Sequence, residues 1–235
     1  MDQKSERKKT LTVIMPCRDE ESTVGICIDE AARMMAGHGI EGEIIVADNA
    51  SGDASAEVAQ AHGAKIVYEQ RCGYGYAIRR ALSEASGDII LIGDCDTTYD
   101  FSEGFAIYEM LAYGGYDMVI ADRFAGTIER GAMPLSHVLG VKVLSYFGRI
   151  RFRTDVKDFH CGLRGLTKEA LAKIRLRTGG MEFATEMIAE ASAGGLRIGQ
   201  TAVTLRKCSY PRKSKLNAVR DGARHLHYIL FGSCR

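Results

Sequence analysis

The chain has 235 residues, of which 46% are hydrophobic and 26% charged, and its formal net charge is +1. These values are ordinary for a globular protein and provide no polycationic surface, so we predict no nucleic-acid partner. The seven cysteines are widely spaced and form no C-x-x-C pair, which argues against a disulfide framework or a zinc ribbon. No apolar run approaches the ~20 residues needed to span a bilayer. We therefore expect a cytoplasmic protein.

The first half of the chain alternates strand-like and helix-like segments. Short apolar runs predict strands at 11–15, 43–47, 64–68, 88–92 and 117–121. Helical spacing of apolar residues predicts helices at 20–37, 53–62, 74–86 and 101–113. Repeated strand–helix–strand units with short connections indicate an α/β fold, with a mostly parallel central sheet and helices on both faces.

The pattern changes after Arg123. Residues 124–134 have the composition of a loop, 135–150 of a helix and 151–158 of a basic connector. A helix near 181–194, a strand near 198–205 and a basic tail to residue 235 complete the chain. Since we find neither a repeat nor a stiff linker, we predict one domain at 10–235. We expect residues 1–9 to form a flexible N-terminus, and we divide the domain into halves at 10–123 and 124–235.

Four aspartates follow predicted strands, namely Asp48, Asp94, Asp96 and Asp122. Ligands of parallel sheets bind at the carboxyl ends of the strands. Asp94 and Asp96 lie one residue apart, and two carboxylates so close repel each other. Mg²⁺ or Mn²⁺ relieves this repulsion, typically by binding one or two protein carboxylates together with substrate phosphate oxygens. We therefore predict that Asp94 and Asp96 bind a metal; the alternative is a pair of solvated loop residues.

Several motifs follow one another in an order that resembles the family 2 glycosyltransferases. They are Pro16-Cys-Arg-Asp-Glu20, Asp48-Asn-Ala-Ser-Gly-Asp53, Gly73-Tyr-Gly-Tyr-Ala77, Asp94-Cys-Asp96, Ala121-Asp-Arg123, Asp158-Phe-His-Cys-Gly-Leu-Arg164, Gly180-Met-Glu-Phe-Ala-Thr-Glu186 and Arg212-Lys-Ser-Lys-Leu216 through Asp221-Gly222. Within that family the order is similar to the polyprenyl-phosphate sugar synthases, such as dolichol-phosphate mannose or glucose synthases. The resemblance implies a single GT-A-type domain of the nucleotide-diphospho-sugar transferase fold, with a nucleotide-sugar-binding half before residue 124 and an acceptor-side half after it.

The resemblance also implies roles for individual residues. The residues expected to bind a UDP- or GDP-linked sugar are Pro16, Arg18, Glu20, Asp48, Gly73, Gly75, Asp94, Arg212 and Lys215. The implied cofactor is Mg²⁺ or Mn²⁺, and the implied reaction inverts the anomeric carbon. Because a guanidinium binds phosphate oxygens bidentately, Arg123 and Arg164 join Asp94 and Asp96 as catalytic candidates. A structural role for either arginine remains the alternative.

The residues leave the acceptor open between a phosphate and a hydroxyl. A hydroxyl acceptor needs a general base, and Asp158 and Glu182 are the candidates. A phosphomonoester needs none, because its second pKa is ~6. The surplus of Arg and Lys after residue 122 favours a phosphorylated lipid or small molecule, most of all a polyprenyl phosphate. A sugar nucleotidyltransferase and an inactive nucleotide-binding module remain as alternatives.

One predicted helix carries an apolar face beside basic residues. The face consists of Leu135, Leu139, Val143, Tyr146, Phe147 and Ile150, with Lys142, Arg149, Arg151 and Arg153 nearby. Such a face belongs either to the core or to an interfacial helix that touches anionic lipid. We favour the core, and peripheral contact with a cytoplasmic membrane face stays as the alternative.

Overall fold

A computed structural model describes residues 8–208, 210 and 217–232. Its strands are β1 (Leu11–Cys17), β2 (Gly42–Asp48), β3 (Lys65–Tyr68), β4 (Ile89–Ile92), β5 (Met118–Asp122), β6 (Arg164–Thr167) and β7 (Ile198–Ala202). Its helices are α1 (Val24–Gly37), α2 (Ser55–Ala61), α3 (Tyr74–Leu82), α4 (Gly104–Ala112), α5 (Leu135–Phe152), α6 (Lys168–Leu171), α7 (Phe183–Ala193) and α8 (Ala218–Phe231). The seven strands form one sheet in the order β3-β2-β1-β4-β6-β5-β7.

The sheet is mostly parallel, which confirms the predicted α/β fold. β1 pairs in parallel with both β2 and β4, β2 with β3, and β5 with β7. Strands β1 and β4 are almost wholly buried because helices cover both of their faces, and this is why their sequences are continuous apolar runs. The parallel strands place the residues that follow β1, β2 and β4 at one edge of the sheet.

Strand β6 was not predicted, and it determines how the two halves of the chain meet. It runs antiparallel between β4 and β5, with Arg164 opposite Ile92. The start of β6 therefore lies beside the end of β4. As a consequence, the loop that precedes β6 lies against the residues that follow β4, including Asp94.

The tail and the N-terminus also differ from the prediction. The predicted basic tail contains α8, where the Asn217 side chain accepts a hydrogen bond from the Arg220 amide and the Asn217 amide donates to Asp221. Of the predicted flexible segment, residues 1–7 lie outside the described part. Lys8 and Lys9 are held, since the Lys8 ammonium donates to the His38 carbonyl and the Lys9 carbonyl accepts from the Tyr108 hydroxyl.

The expectation that the apolar face of α5 belongs to the core is wrong. Its six side chains are between 44% (Val143) and 86% (Leu135) exposed. The buried side of the helix is instead formed by three residues, Ser145, Gly148 and Phe152, of which the first two are small. Across the described residues, no helix is both long and apolar enough to cross a bilayer.

Candidate active site

A cavity of about 480 Å³ opens where the ends of β1 and β4 meet the half of the chain that follows Arg123. The predicted site residues that line it are Pro16, Arg18, Glu20, Gly73, Asp94, Asp96 and Arg123. Asp48, Gly75, Asp158, Arg164 and Glu182 do not line it. Arg212 and Lys215 lie outside the described residues. Several further residues line the cavity that were not among the predicted site residues, including Asn49, Tyr74, Tyr99, His160, Arg220 and Arg224.

Asp94 and Asp96 lie together on one wall of this cavity. The Asp96 carboxylate accepts hydrogen bonds from the amide and the hydroxyl of Thr98, which fix its orientation. Cys95 between them is buried, and its thiol donates to the Pro16 carbonyl. Thr97 has a positive φ of 63°, a conformation that is uncommon for a β-branched residue. Strained backbone of this kind concentrates at functional sites.

The loop before β6 packs closely against Asp94. A Cβ atom on Gly162 would lie 2.1 Å from Oδ2 of Asp94, so only glycine leaves room for this carboxylate. The Gly162 amide donates to the Tyr99 hydroxyl oxygen over 3.1 Å. Burial, together with the negative charge of Asp94, raises the pKa of the Tyr74 phenol well above its usual value. Tyr74 is therefore a neutral group that faces the carboxylate of Asp94.

The loop after β2 is joined to the segment before α3 through Asn49, which lines the cavity. The buried Asn49 amide donates to the carbonyls of Glu69 and Arg71, and its Oδ1 accepts from the Gly73 amide at 2.7 Å. Beside it, Oδ1 of Asp48 is buried and has no hydrogen-bond partner among the described residues. A buried acceptor without a partner is costly in a protein, so this oxygen would be stabilised by a hydrogen-bond donor from outside the described residues.

The two glycines of the Gly73-Tyr-Gly75 motif are required by packing against the chain itself. A Cβ atom on Gly73 would lie 2.2 Å from the Gly179 carbonyl oxygen, and one on Gly75 would lie 2.5 Å from that of Thr178. Gly73 lines the cavity, whereas Gly75 is buried beneath it. Close approach of the segment before α7 therefore explains this motif without a ligand.

The predicted residues of the loop after β1 differ in exposure. The Arg18 side chain is 45% exposed and reaches the cavity, with Asp19 at 3.8 Å. Glu20 is buried, and its amide donates to the Ser55 hydroxyl. That bond ties this loop to the start of α2. Asp19 and Ala50, like Thr97, have a positive φ, so the loops after β1, β2 and β4 each contain a strained residue.

Arg123, which lines the cavity, forms a bidentate ion pair with Asp158, which does not. Nε and Nη2 of Arg123 donate to the two carboxylate oxygens of Asp158 at 2.6 and 2.7 Å. Asp158 is 0% exposed and Arg123 is 7% exposed. Asp158 also accepts from the His160 amide. The Asp158 carboxylate, a candidate general base, is therefore already paired with Arg123, which lines the cavity.

Arg164 does not face the cavity, although the sequence suggested a phosphate-binding role for it. It is 1% exposed, and its guanidinium donates to the carbonyls of Phe159, Cys161 and Ala184. These bonds hold the loop before β6 against the start of α7. Glu186 accepts hydrogen bonds from the amides of Arg177 and Thr178, in the segment before α7.

Glu182 is held by an ion pair with α8. Its carboxylate lies 2.8 Å from Nε of Arg224, and its Oε1 accepts from Nη2 at 2.9 Å. Arg220 and Arg224 both lie on α8 and line the cavity. The structure therefore presents arginines, and not the Glu182 carboxylate, at this wall. Neither arginine was among the predicted site residues, because the helix that carries them was not predicted.

Two histidines meet edge to face beside the ion pair. The His160 and His225 ring centroids lie 4.2 Å apart, and neither ring nitrogen of His160 has a hydrogen-bond partner among the described residues. Burial lowers the pKa of His160 well below its usual value, and neighbouring cationic groups, Arg123 among them, add to this. Burial also lowers the pKa of His225 to about 4. Both rings are therefore neutral near pH 7.

The sequence model of glycosyl transferase family 2 matches residues 12–175. The chain belongs to glycosyltransferase family 2. It is 35% identical to the low-salt glycan biosynthesis hexosyltransferase Agl6 of Haloferax volcanii over 94% of this chain and 53% of that protein. It is 26% identical to the dolichyl-phosphate hexose transferase of the same organism, over 91% and 89% of the two chains. It thus spans about half of the length of Agl6.

Solved structures show the same fold. The structure of glucosyl-3-phosphoglycerate synthase from Mycobacterium tuberculosis, in complex with Mn²⁺, UDP and glucosyl-3-phosphoglycerate, superposes on this family 2 chain with a TM-score of 0.76 at 22% identity. The match covers 96% of this chain and 80% of the synthase. The predicted family and GT-A-type fold are therefore confirmed.

Proposed function

We propose that this chain transfers a hexose from a UDP- or GDP-linked sugar to a polyprenyl phosphate, with Mg²⁺ or Mn²⁺ at Asp94 and Asp96. The observation that carries the proposal is the position of these two carboxylates beside a cavity that is lined by four arginines, namely Arg18, Arg123, Arg220 and Arg224. Acidic groups on one wall and guanidinium groups on the others match a substrate pair that contains a cation-bound diphosphate and a second anion.

The two carboxylates fit a hard divalent cation whose remaining ligands come from the substrate. No cluster of three or more His, Cys, Asp or Glu able to hold a metal occurs in the described ranges. Two carboxylates are what Mg²⁺ or Mn²⁺ commonly takes from a protein when diphosphate oxygens supply further ligands. When bound, the cation stabilises the charge on the departing nucleoside diphosphate. The synthase with the same fold was solved with Mn²⁺ and UDP, which supports this assignment.

The chain's own residues orient the donor. Thr98 fixes Asp96, and Tyr74 faces Asp94, so both carboxylates hold their positions before the substrate arrives. The partnerless Oδ1 of Asp48 is buried beside Asn49, which lines the cavity, and it would accept from the base or ribose once the loop after β2 admits the nucleotide. Asn49 connects this position to the start of α3. We assign Asp48 to nucleotide binding and Asp94 and Asp96 to the diphosphate.

The ion pairs favour a phosphate acceptor over a hydroxyl. Asp158 is bonded to Arg123, and Glu182 is bonded to Arg224, so neither candidate base is presented to the cavity as a lone carboxylate. A phosphomonoester is largely dianionic at neutral pH and attacks without a base. A dolichyl-phosphate hexose transferase among the relatives agrees with this choice.

Transfer assays with paired acceptors test the proposal. UDP- and GDP-linked hexoses are incubated with Mn²⁺, Mg²⁺ or EDTA and with either a short-chain polyprenyl phosphate or the corresponding polyprenol. We expect product only with the phosphate and only with a divalent cation. Transfer to the polyprenol would instead indicate a hydroxyl acceptor, and Asp158→Asn and Glu182→Gln would then abolish it. Absence of turnover with every nucleotide sugar would contradict the proposed activity.

A further inference from the structure

Most of the large hydrophobic side chains that are exposed lie on α5 and α8. On α5 they are Leu135, Leu139, Val143, Tyr146, Phe147 and Ile150, and on α8 they are Val219, Leu226, Leu230 and Phe231. The two helices pack on each other, with the Phe152 and Tyr228 ring centroids 6.4 Å apart. An apolar cluster of this extent is uncommon on a protein surface unless something binds there.

The exposed residues of α5 form a continuous stripe. Successive residues of an α-helix are rotated by about 100°, so the six side chains between Leu135 and Ile150 fall within about 120° of arc. The opposite side packs on the domain through Ser145, Gly148 and Phe152. The stripe therefore points away from the protein over the whole length of an 18-residue helix.

The charges beside the stripe have one sign. Lys142 and Arg149 lie along one edge of it and Arg151 along the other, while Arg153 ends the helix. Residues 135–153 contain no aspartate or glutamate. A second copy of the chain on this face would place these cations opposite one another, which is unfavourable. An apolar stripe flanked by cations is instead complementary to anionic lipid, with side chains between the acyl chains and cations at the phosphates.

We infer that α5 docks the chain on the surface of an anionic bilayer. The start of α5 borders the cavity, because Met133 and His137 line it. Docking through α5 then holds the cavity mouth at the level of the lipid headgroups, where the phosphate of a polyprenyl acceptor lies. This consequence rests on the proposed function, whereas docking itself requires no sugar transfer.

Vesicle co-sedimentation of the full chain tests the inference. Vesicles of phosphatidylcholine alone are compared with vesicles that contain phosphatidylglycerol, at low and high salt. We expect binding only to the anionic vesicles, and weaker binding at high salt. Lys142→Gln with Arg151→Gln removes two cations, each contributing about fivefold near an anionic surface, so affinity should fall about 25-fold. Leu139→Gln with Ile150→Gln should lower it by at least about tenfold.

Matched controls come from exposed residues elsewhere. Lys173→Gln with Arg175→Gln removes two exposed cations, and Tyr68→Gln removes an apolar side chain that is 59% exposed. These controls should change vesicle affinity by no more than about twofold, because the substituted residues are exposed and lie outside α5, and surface substitutions usually have small effects. Equal binding to neutral vesicles, or equal losses in controls and α5 variants, would overturn the inference. So would a stable dimer in which α5 is protected.

Transfer to a water-soluble, short-chain polyprenyl phosphate separates this inference from the proposed function. The α5 variants should keep this activity, because their substituted side chains are exposed and outside the cavity lining. If transfer occurs but anionic vesicles are not bound, docking is excluded and the proposed reaction stands. If vesicles are bound through α5 but no transfer occurs, the proposed acceptor is wrong and docking stands.

Discussion

Replacement of Asp158 by asparagine distinguishes a structural carboxylate from a catalytic base. Asparagine keeps the size of the side chain but leaves the Arg123 guanidinium without a counter-ion at a position that is 7% exposed. Removing one partner of a buried ion pair typically costs about 3–5 kcal/mol. Because asparagine still accepts one hydrogen bond, we take the lower end, about 3 kcal/mol.

The expected loss is large enough to measure by thermal and urea unfolding. For a chain of this size, about 3 kcal/mol corresponds to a melting temperature lower by about 6–12 °C. Asp155→Asn is the matched control, since Asp155 is exposed and nearby in sequence, and it should change the free energy of unfolding by less than about 0.5 kcal/mol. In an Arg123→Met background, Asp158→Asn should become nearly neutral, because no buried guanidinium remains to be paired.

The same variant separates the two roles kinetically. If Asp158 positions Arg123, then Asp158→Asn lowers stability and weakens transfer to a phosphate acceptor in parallel with Arg123→Met. A variant that unfolds like the unsubstituted chain but has lost all transfer would refute this account. It would show that Asp158 acts directly on the acceptor.

Two further predictions concern the cavity and its surroundings. Gly162→Ala should weaken Mn²⁺-dependent activity at least about tenfold, because a Cβ there would meet the Asp94 carboxylate at 2.1 Å. The control is Gly140→Ala in α5, where a Cβ meets nothing within 4 Å, and it should raise the free energy of unfolding by about 1 kcal/mol. The pKa of His225, about 4 when folded against 6.5 unfolded, means that the unfolded state binds more protons between these values. Stability should therefore fall as the pH drops, by about 2 kcal/mol between pH 7 and 5 from this residue alone, and His225→Asn should remove that part of the loss in urea titrations.

The parallel part of the fold was predictable because its signals are local. A buried strand such as β4 is a continuous apolar run, and a polar residue at its end marks the binding edge of the sheet. These features lie within a few residues of each other, so Asp94 and Asp96 could be placed without a structure. The family motifs then added the expected order of the remaining elements.

The antiparallel strand could not be predicted in the same way. Strand β6 reads Arg-Gly-Leu-Thr, and its first two residues suit a strand only in this packing. A Cβ on Gly165 would lie 2.7 Å from Ile107 of α4, so the glycine is required by a helix distant in sequence. The buried Arg164 guanidinium donates hydrogen bonds to carbonyls of α7 and of the loop before β6. Since these contacts are all tertiary, the role of Arg164 could not be read from the sequence.

The exposure of α5 was mispredicted for a related reason. An apolar stripe has the same sequence pattern whether it packs on a core or faces outward. The flanking cations Lys142, Arg149 and Arg151 were the available signal for an interface. Only the packing of Phe152 and Ser145 shows which side of the helix meets the domain.

Calorimetric titration of UDP and GDP, with and without Mn²⁺, tests the central claim most directly. The unsubstituted chain should bind one of the two nucleotides at least about tenfold more tightly when the cation is present. Asp94→Ala combined with Asp96→Ala should abolish this increment, whereas the exposed control Glu57→Ala should retain it. Affinity that is the same with and without the cation, or an increment that survives the loss of both aspartates, would contradict the account.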